Sequence, residues 1–261
     1  MDSVVAYLTD GPGISLWVQL LLVGVSFAGS LLAAMFGLGG GAMLLAVMAL
    51  YFPPAVLIPL HGVVQVGSNC GRAVLMIRQV MRTVLPVFIL GSAIGAGVGV
   101  KLVVSLPVHW LQLIVALFVL YAAWGSRFKF RGGQPSQTKF FVVGMLAAFA
   151  TMFVGATGPL IAPFVVSSTG DRRQVVATHA MLMTIQHGVK ILAFGIAGFV
   201  FWPYVPFLAA MLVAGFAGTW VGRHILDRLP ERIFRICFSV VLTLLAIELL
   251  WRSVPAALGL K

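Results

Sequence analysis

Two apolar segments of the chain carry polar side chains at matching positions. They span residues 55–77 and 174–195. The first set is His61, Gln65, Ser68, Asn69 and Arg72, and the second is His179, Met183, Gln186, His187 and Lys190. A shift of 118 residues superimposes the two sets position by position. At about 100° per residue, each set occupies one face of a helix, within an arc of about 100°. We call them the first and second polar stripes.

The ionisable side chains of both stripes are basic. A charge at the centre of a membrane costs roughly 2.5–3.5 kcal/mol on insertion scales, so its presence at equivalent places in two segments indicates a function. We predict that Arg72 and Lys190 neutralise a small anion. The remaining polar side chains are predicted to donate hydrogen bonds to its oxygens, namely Gln65, Ser68, Asn69, Gln186 and His187. His61 and His179 are candidates for substrate contact or proton carriage, since histidine titrates near neutral pH.

The composition is that of an all-α polytopic membrane protein. Of 261 residues, 61% are hydrophobic and 9% charged, and the mean hydropathy is +1.09. A soluble domain has roughly 25% charged residues. The net charge of +11 lies mostly in short loops, as the positive-inside rule explains, so the expected partner is the lipid bilayer and not a nucleic acid.

The apolar segments form two halves with the same order. They lie at 15–36, 42–52, 55–77, 83–104 and 107–124, then at 140–156, 158–168, 174–196, 203–226 and 230–252. A basic, Gly/Ser/Pro-rich linker, 125–139, separates repeat 1 (15–124) from repeat 2 (140–252) within a single transporter domain, 1–261. Because order and spacing recur, we interpret the halves as an internal duplication.

A glycine break follows the first long segment of each half. The breaks read GLGGG from Gly37 to Gly41 and GATGP from Gly155 to Pro159. A new helix that begins within the membrane presents free N–H groups and a partial positive charge. Such ends point at anionic substrates in several transporter folds. We therefore add the break residues to the predicted site, namely Gly39, Gly40, Gly41, Gly155 and Thr157.

Loop charge bears on the relative orientation of the halves. If each break makes a hairpin that re-emerges on its side of entry, nearly all loop Lys and Arg fall on one face. The positive-inside rule favours this arrangement. Each half then crosses the membrane an odd number of times, and the repeats are inverted. A plain hydropathy count of about eight helices, four per half, would instead make the repeats parallel.

The sequence argues against cofactor, metal and enzyme chemistry. Of six carboxylates, only Glu248 lies well inside a spanning segment, whereas sodium or divalent-cation carriers need hard oxygen ligands. His179 and His187 are about 12 Å apart along a helix, too far to share one metal ion. We expect no catalytic residues and no cofactor. Proton coupling through Glu248 or a histidine stays open.

The breaks and their flanks resemble the sulfite exporter TauE/SafE family of bacterial inner-membrane transporters. The resemblance rests on GLGGGAMLLAVMALYFPPAVL and on the related GATGPLIAPFVVSSTGDRRQVVATHAML, and it extends over nearly the whole chain. It implies transport of small sulfur-containing anions, often outward. The chain departs from the family at His61 and His179, where many members have small hydroxyl residues.

Together, these features predict a secondary transporter, and more specifically an exporter, of sulfite or an organosulfonate. We expect alternating access with proton coupling. Two alternatives stay open, an anion channel with the same basic lining and a transporter of a non-sulfur organic anion.

Overall fold

The computed structural model describes residues 13–36, 40–103, 105–124, 135–169, 171–225 and 231–257, and the regular secondary structure within them is helical. Repeat 1 contains α1 (Leu16–Phe36), α2 (Gly40–Met48), α3 (Pro54–Leu75), α4 (Leu85–Val103) and α5 (Val108–Trp124). Repeat 2 contains α6 (Gln137–Val154), α7 (Gly158–Val166), α8 (Arg172–Ile196), α9 (Val205–Ile225) and α10 (Glu231–Ala257). Each predicted apolar segment within these ranges is therefore a helix.

Hydropathy separates an outer set of helices from an inner pair. Within the described ranges, four stretches are long and apolar enough to cross a membrane, Leu16–Ala34, Arg82–Val103, Gln137–Val154 and Trp202–Gly222. They correspond to α1, α4, α6 and α9. The helices α3 and α8 carry the polar stripes and have 22 and 25 residues, or about 33 and 37 Å. They are thus also long enough to span a bilayer, and their polar faces need protein around them.

Each break separates a long helix from a short one. The short helices α2 and α7 have nine residues each, about 14 Å of helix. α2 turns back along α1, because Gly40 packs against Gly29 and Ala33. α6 ends at Gly155, which has a left-handed φ of 75° that favours glycine, and α7 starts after Thr157. Residues 37–39, including the predicted site residue Gly39, lie outside the described ranges.

The outer helices pack in two parallel pairs through glycines. In the pair α1–α9, Gly218 and Gly222 pack against the carbonyls of Phe27 and Leu31. In the pair α4–α6, glycines of α4 contact the backbone of α6 in the same way. These α4 residues are Gly91 and Gly95, which face the carbonyls of Phe141 and Met145. In both pairs the residue numbers rise together, so the partners run in the same direction.

The stripe-bearing helices α3 and α8 pack antiparallel at the centre. Gly62, early in α3, lies against Lys190, late in α8. Arg72, late in α3, shares a cavity with His179, early in α8. α3 also contacts α9, α8 contacts α4, and α5 packs against α10. The antiparallel crossing brings the two polar stripes face to face.

We expect the α4–α6 contact to tolerate no side chain at Gly95. A Cβ there would overlap the carbonyl oxygen of Met145, and backbone cannot move aside cheaply. Gly95→Ala should lower the free energy of unfolding by about 1–3 kcal/mol, the usual cost of overpacking. Thermal unfolding of the purified protein in detergent measures the change.

Gly97 provides a matched control on the same helix, since nothing lies within 4 Å of a Cβ at that position. Gly97→Ala should leave stability unchanged or raise it by up to about 1 kcal/mol through helix propensity. Equal melting temperatures for the two variants would contradict the close approach of α4 and α6.

Candidate functional site

A cavity of about 60 Å³ lies where the two stripes meet the starts of α2 and α7. Its polar lining comes from both stripes and consists of Gln65, Asn69, Arg72, His179 and His187. The remaining lining is small or apolar and consists of Ala33, Gly40, Gly41, Ala42, Ala156, Gly158, Pro159 and Met183. This volume exceeds the roughly 10–15 Å³ that a single water needs, so the cavity has room for a small ligand.

Three residues of the first stripe, Gln65, Asn69 and Arg72, form a hydrogen-bonded chain along α3. Asn69 Nδ2 donates to the carbonyl oxygen of Gln65 at 2.8 Å and faces Gln65 Oε1 at 3.3 Å. Arg72 NH2 donates to Asn69 Oδ1 at 2.8 Å, and its NH1 donates to the carbonyl of Ala33 at 3.1 Å. Neighbours at i+3 and i+4 on a helix can interact in this way. The chain fixes the guanidinium at the edge of the cavity.

The second stripe contributes two histidines to the lining. His179 Nε2 lies 3.2 Å from the carbonyl oxygen of Gly158, in the first turn of α7. A Cβ on Gly158 would lie 3.6 Å from the Met183 sulfur and from His179 Cε1, so the backbone of α7 approaches α8 closely here. The start of α7 therefore sits directly on the second stripe.

A second layer of polar groups lies behind the lining, at the break of repeat 2. Lys190 Nζ donates to the carbonyl of Gly155 at 2.8 Å, and the Lys190 side chain has no exposed surface. Thr157 Oγ1 donates to Gln186 Oε1 at 2.9 Å. His61 Nδ1 and Nε2 lie 3.1 and 2.9 Å from the carbonyl oxygens of Gly155 and Gly41. His61 also packs edge-on against His187, with ring centroids 5.8 Å apart.

Both stripe cations bind a carbonyl at the end of the first helix of their own half. Arg72 reaches Ala33 in the last turn of α1, and Lys190 reaches Gly155 at the end of α6. The C-terminal end of a helix carries a partial negative charge that favours cations. The breaks thus place negative helix ends at the two cations and the positive N-terminal ends of α2 and α7 at the cavity.

Several buried nitrogens around the cavity have no hydrogen-bond partner among the described residues. They are Arg72 Nε, Gln186 Nε2 and His187 Nδ1. An unsatisfied buried polar atom costs about 1–3 kcal/mol, so such atoms call for an explanation. The nitrogens of Arg72 and Gln186 are hydrogen-bond donors. Buried donors and cations whose described partners are uncharged oxygens suit an anion with acceptor oxygens.

The structure brings most of the predicted site residues together, in two layers. Seven line the cavity, namely Gln65, Asn69, Arg72, His179, His187, Gly40 and Gly41. Five lie directly behind the lining, namely His61, Gly155, Thr157, Gln186 and Lys190. Ser68 turns away toward α1, where Ser30 Oγ donates to its hydroxyl at 3.4 Å.

The predicted site omitted six lining residues, of which Met183 was named in the second stripe without a binding role; they are Ala33, Ala42, Ala156, Gly158, Pro159 and Met183. Their side chains carry no polar signal. Ala156 and Pro159 lie within the second glycine break, so the position of the break could have indicated them. Ala33 contributes a carbonyl, and side-chain type gives no indication of that role.

Comparison with known proteins identifies one family. The sequence model of the family described as Sulfite exporter TauE/SafE matches residues 21–249. This match includes both breaks, both stripes and eight complete helices, α2 to α9, besides most of α1 and α10. No curated protein and no solved structure matches the chain significantly.

We expect Gly62→Ala to displace Lys190 while the protein remains folded. A Cβ at this position would lie 2.7 Å from Lys190 Cε and 3.5 Å from Nζ, and the flexible lysine end is the part that moves. Its hydrogen bond to Gly155 should then be lost. Thermal unfolding with and without 10 mM sulfite or methanesulfonate should show a smaller anion-induced stabilisation, since at a fixed ligand concentration the stabilisation falls as the affinity falls.

Gly71→Ala is the matched control on α3, because nothing lies within 4 Å of a Cβ there. Its anion-induced stabilisation should equal that of the unchanged protein. If both glycine variants show the same anion-induced stabilisation, the conclusion is that Lys190 does not contribute to anion binding.

Proposed function

This chain belongs to the sulfite exporter TauE/SafE family, and we propose that it is a secondary transporter of a small oxyanion. It is a membrane protein of a transporter family, with several apolar helices. The proposed substrate is sulfite or a short organosulfonate, moved by alternating access and coupled to protons. The proposed site is the two-layered set of stripe and break residues around the cavity.

One observation carries the proposal. Two cationic side chains, Arg72 and Lys190, lie inside the helix bundle, and the described groups that they bind are uncharged oxygens. Removing a charge from water costs several kcal/mol unless an opposite charge or several hydrogen bonds compensate. An anion in the cavity would supply the opposite charge. Without an anion, the two buried positive charges raise the free energy of the protein. Entry of an anion lowers it, and this difference favours anion binding during the transport cycle.

The size and polarity of the cavity support an oxyanion. A cavity of about 60 Å³ suits a small anion such as sulfite. The cavity also has an apolar wall at Met183 and Pro159, which would accommodate the short carbon chain of an organosulfonate. Arg72, Asn69 and His179 supply polar donors to the same lining, so a ligand with one anionic end and one apolar end fits it.

We further propose that the two halves are inverted repeats. The support is the reciprocal packing. The first helix of each half packs parallel to the fourth helix of the other half, while the two third helices, α3 and α8, pack antiparallel. A two-fold axis in the membrane plane relates equivalent helices in opposite directions, whereas an axis along the membrane normal would make α3 and α8 parallel. Inverted repeats around a central site suit alternating access.

Loop charge gives the proposed orientation. The exposed arginines Arg78, Arg82 and Arg173 lie at the end of the bundle where Met81 N donates to Thr178 Oγ1 at 3.0 Å. By the positive-inside rule this end is cytoplasmic. We propose the bacterial inner membrane as the location of the protein, on the strength of the family resemblance. In this orientation the cavity lining from Arg72 to His179 lies toward the cytoplasmic end.

We expect Arg72→Ala and Lys190→Ala each to lower anion flux by at least about 30-fold. Truncating one partner of a buried charged pair costs at least about 2 kcal/mol, and about 1.4 kcal/mol is a factor of ten. Uptake of labelled sulfite into proteoliposomes measures the flux, and size-exclusion chromatography confirms that each variant is folded.

Lys101→Ala is the control, because Lys101 is an exposed lysine in the last turn of α4. Its flux should equal that of the unchanged protein. Undiminished flux in both stripe variants would refute the proposed site. Accumulation of the anion against its own gradient under an imposed pH difference distinguishes a transporter from an anion channel, which only dissipates gradients.

A further inference from the structure

The hydrogen-bonding environment of His61 differs from that of its sequence equivalent, His179. Both ring nitrogens of His61 face carbonyl oxygens, Nε2 at 2.9 Å from Gly41 and Nδ1 at 3.1 Å from Gly155. Carbonyl oxygens only accept hydrogen bonds, and a neutral imidazole has a single N–H. A neutral His61 therefore satisfies one of these contacts and directs a lone pair at the other. A protonated His61 donates to both. His179 faces one carbonyl, that of Gly158, which a neutral tautomer satisfies.

The two carbonyls that His61 faces belong to the breaks of different halves. Gly41 lies in the first turn of α2, and Gly155 ends α6. The His61 side chain is fully buried, so no solvent replaces a missing hydrogen bond. A protonated His61 therefore hydrogen-bonds to both broken helices, whereas a neutral His61 bonds to only one of them, and Gly155 keeps its bond from Lys190 in either state.

The charged and titratable groups around His61 link this proton to the anion. Lys190 and His187 face it from α8, whereas α2 presents carbonyls and no titratable side chain. Farther along the cavity lie Arg72 and His179. All four neighbours are basic, so their electrostatic field opposes a proton on His61. The negative charge of an anion in the cavity would counteract that field and favour the proton.

We propose that His61 binds the proton that is transported together with the anion. This inference rests on the proposed transport function. Because linkage is reciprocal, an anion that favours protonation of His61 binds more tightly when His61 is protonated. The proton adds to the imidazole on one side of the membrane and leaves it on the other. His187 lines the cavity beside the His61 ring, so His61 is one titratable ring away from the cavity. The direction of net transport then follows the sum of the proton and anion gradients.

The test is the number of protons moved per anion. Proteoliposomes containing a pH-sensitive dye receive methanesulfonate, isethionate or thiosulfate, which stay fully ionised near neutral pH and carry no proton themselves. Anion entry and lumenal acidification are followed together. We expect about one proton per anion for the unchanged protein. For His61→Gln and His61→Asn, whose amides donate to a carbonyl but do not carry a proton, we expect a ratio near zero.

His179→Gln is the matched control, since it alters the equivalent residue of the other stripe. Its flux should fall, because His179 lines the cavity, but the ratio should stay near one. Calorimetry in two buffers of different ionisation enthalpy gives the same ratio for binding in detergent, so a variant that binds without transporting still reports it.

The outcomes separate this inference from the proposed function. If the unchanged protein moves none of these anions or sulfite, both fail. Anion flux without proton movement in the unchanged protein overturns only the role of His61. So does a ratio near one in the His61 variants, or a loss of proton movement in His179→Gln alone. A folded His61 variant that no longer binds any anion would assign His61 to the anion site and would also overturn the inference.

Discussion

The interaction on which the site depends is the contact between a buried cation and the carboxyl end of a broken helix. Arg72 binds the last turn of α1, and Lys190 binds the end of α6. An isolated charge in this interior would cost several kcal/mol, and the helix ends offset part of that cost with carbonyls and a partial negative charge. The breaks have a second consequence, because the helix that follows each break begins with its positive end at the cavity. A single feature, repeated in both halves, therefore stabilises the cations and leaves the cavity positive.

Glycine contacts hold the rest of the bundle in the arrangement that this site requires. The pairs α1–α9 and α4–α6 approach until backbone meets backbone, as at Gly218 and Gly95. In a membrane, where lipid is as apolar as the helices, such close packing is a principal source of association. Gly41 has a similar role inside the site, since a Cβ there would lie 2.9 Å from Gln65 Nε2. Glycines thus determine how closely the outer helices pack and how closely the break approaches the first stripe.

The sequence was sufficient to predict the helices and the face on which the polar residues lie. The 118-residue offset identified Arg72 and Lys190 as equivalents, and helical periodicity placed both on inward faces. Side-chain direction within that face was not predictable, because it depends on partners far away in sequence. Ser68 turns to Ser30 on α1, and His61 reaches across to Gly155, 94 residues away. The hydrogen bond from Arg72 to the Ala33 carbonyl was equally unpredictable, since every residue type has a backbone carbonyl. The division into a lining layer and a covered layer is therefore a property of the packed structure alone.

The two halves differ in which of their equivalent residues line the cavity and which are covered. Arg72 borders the cavity, while its equivalent Lys190 is fully covered and lies beside His61 and His187. The neighbouring equivalents differ as well, with Gln65 opposite Met183 in the alignment of the stripes and Asn69 opposite His187.

If the halves are inverted repeats, alternating access exchanges their conformations, so the covered position passes from Lys190 to Arg72 and the lining position from Arg72 to Lys190. The anion would then meet a guanidinium on one side of the membrane and an ammonium on the other. A guanidinium holds an oxyanion through two parallel hydrogen bonds, whereas an ammonium acts as a point charge. On the proposed mechanism, the unequal stripes would therefore give the two sides of the membrane different affinities for the same ligand, which a perfectly symmetric pair of stripes would not.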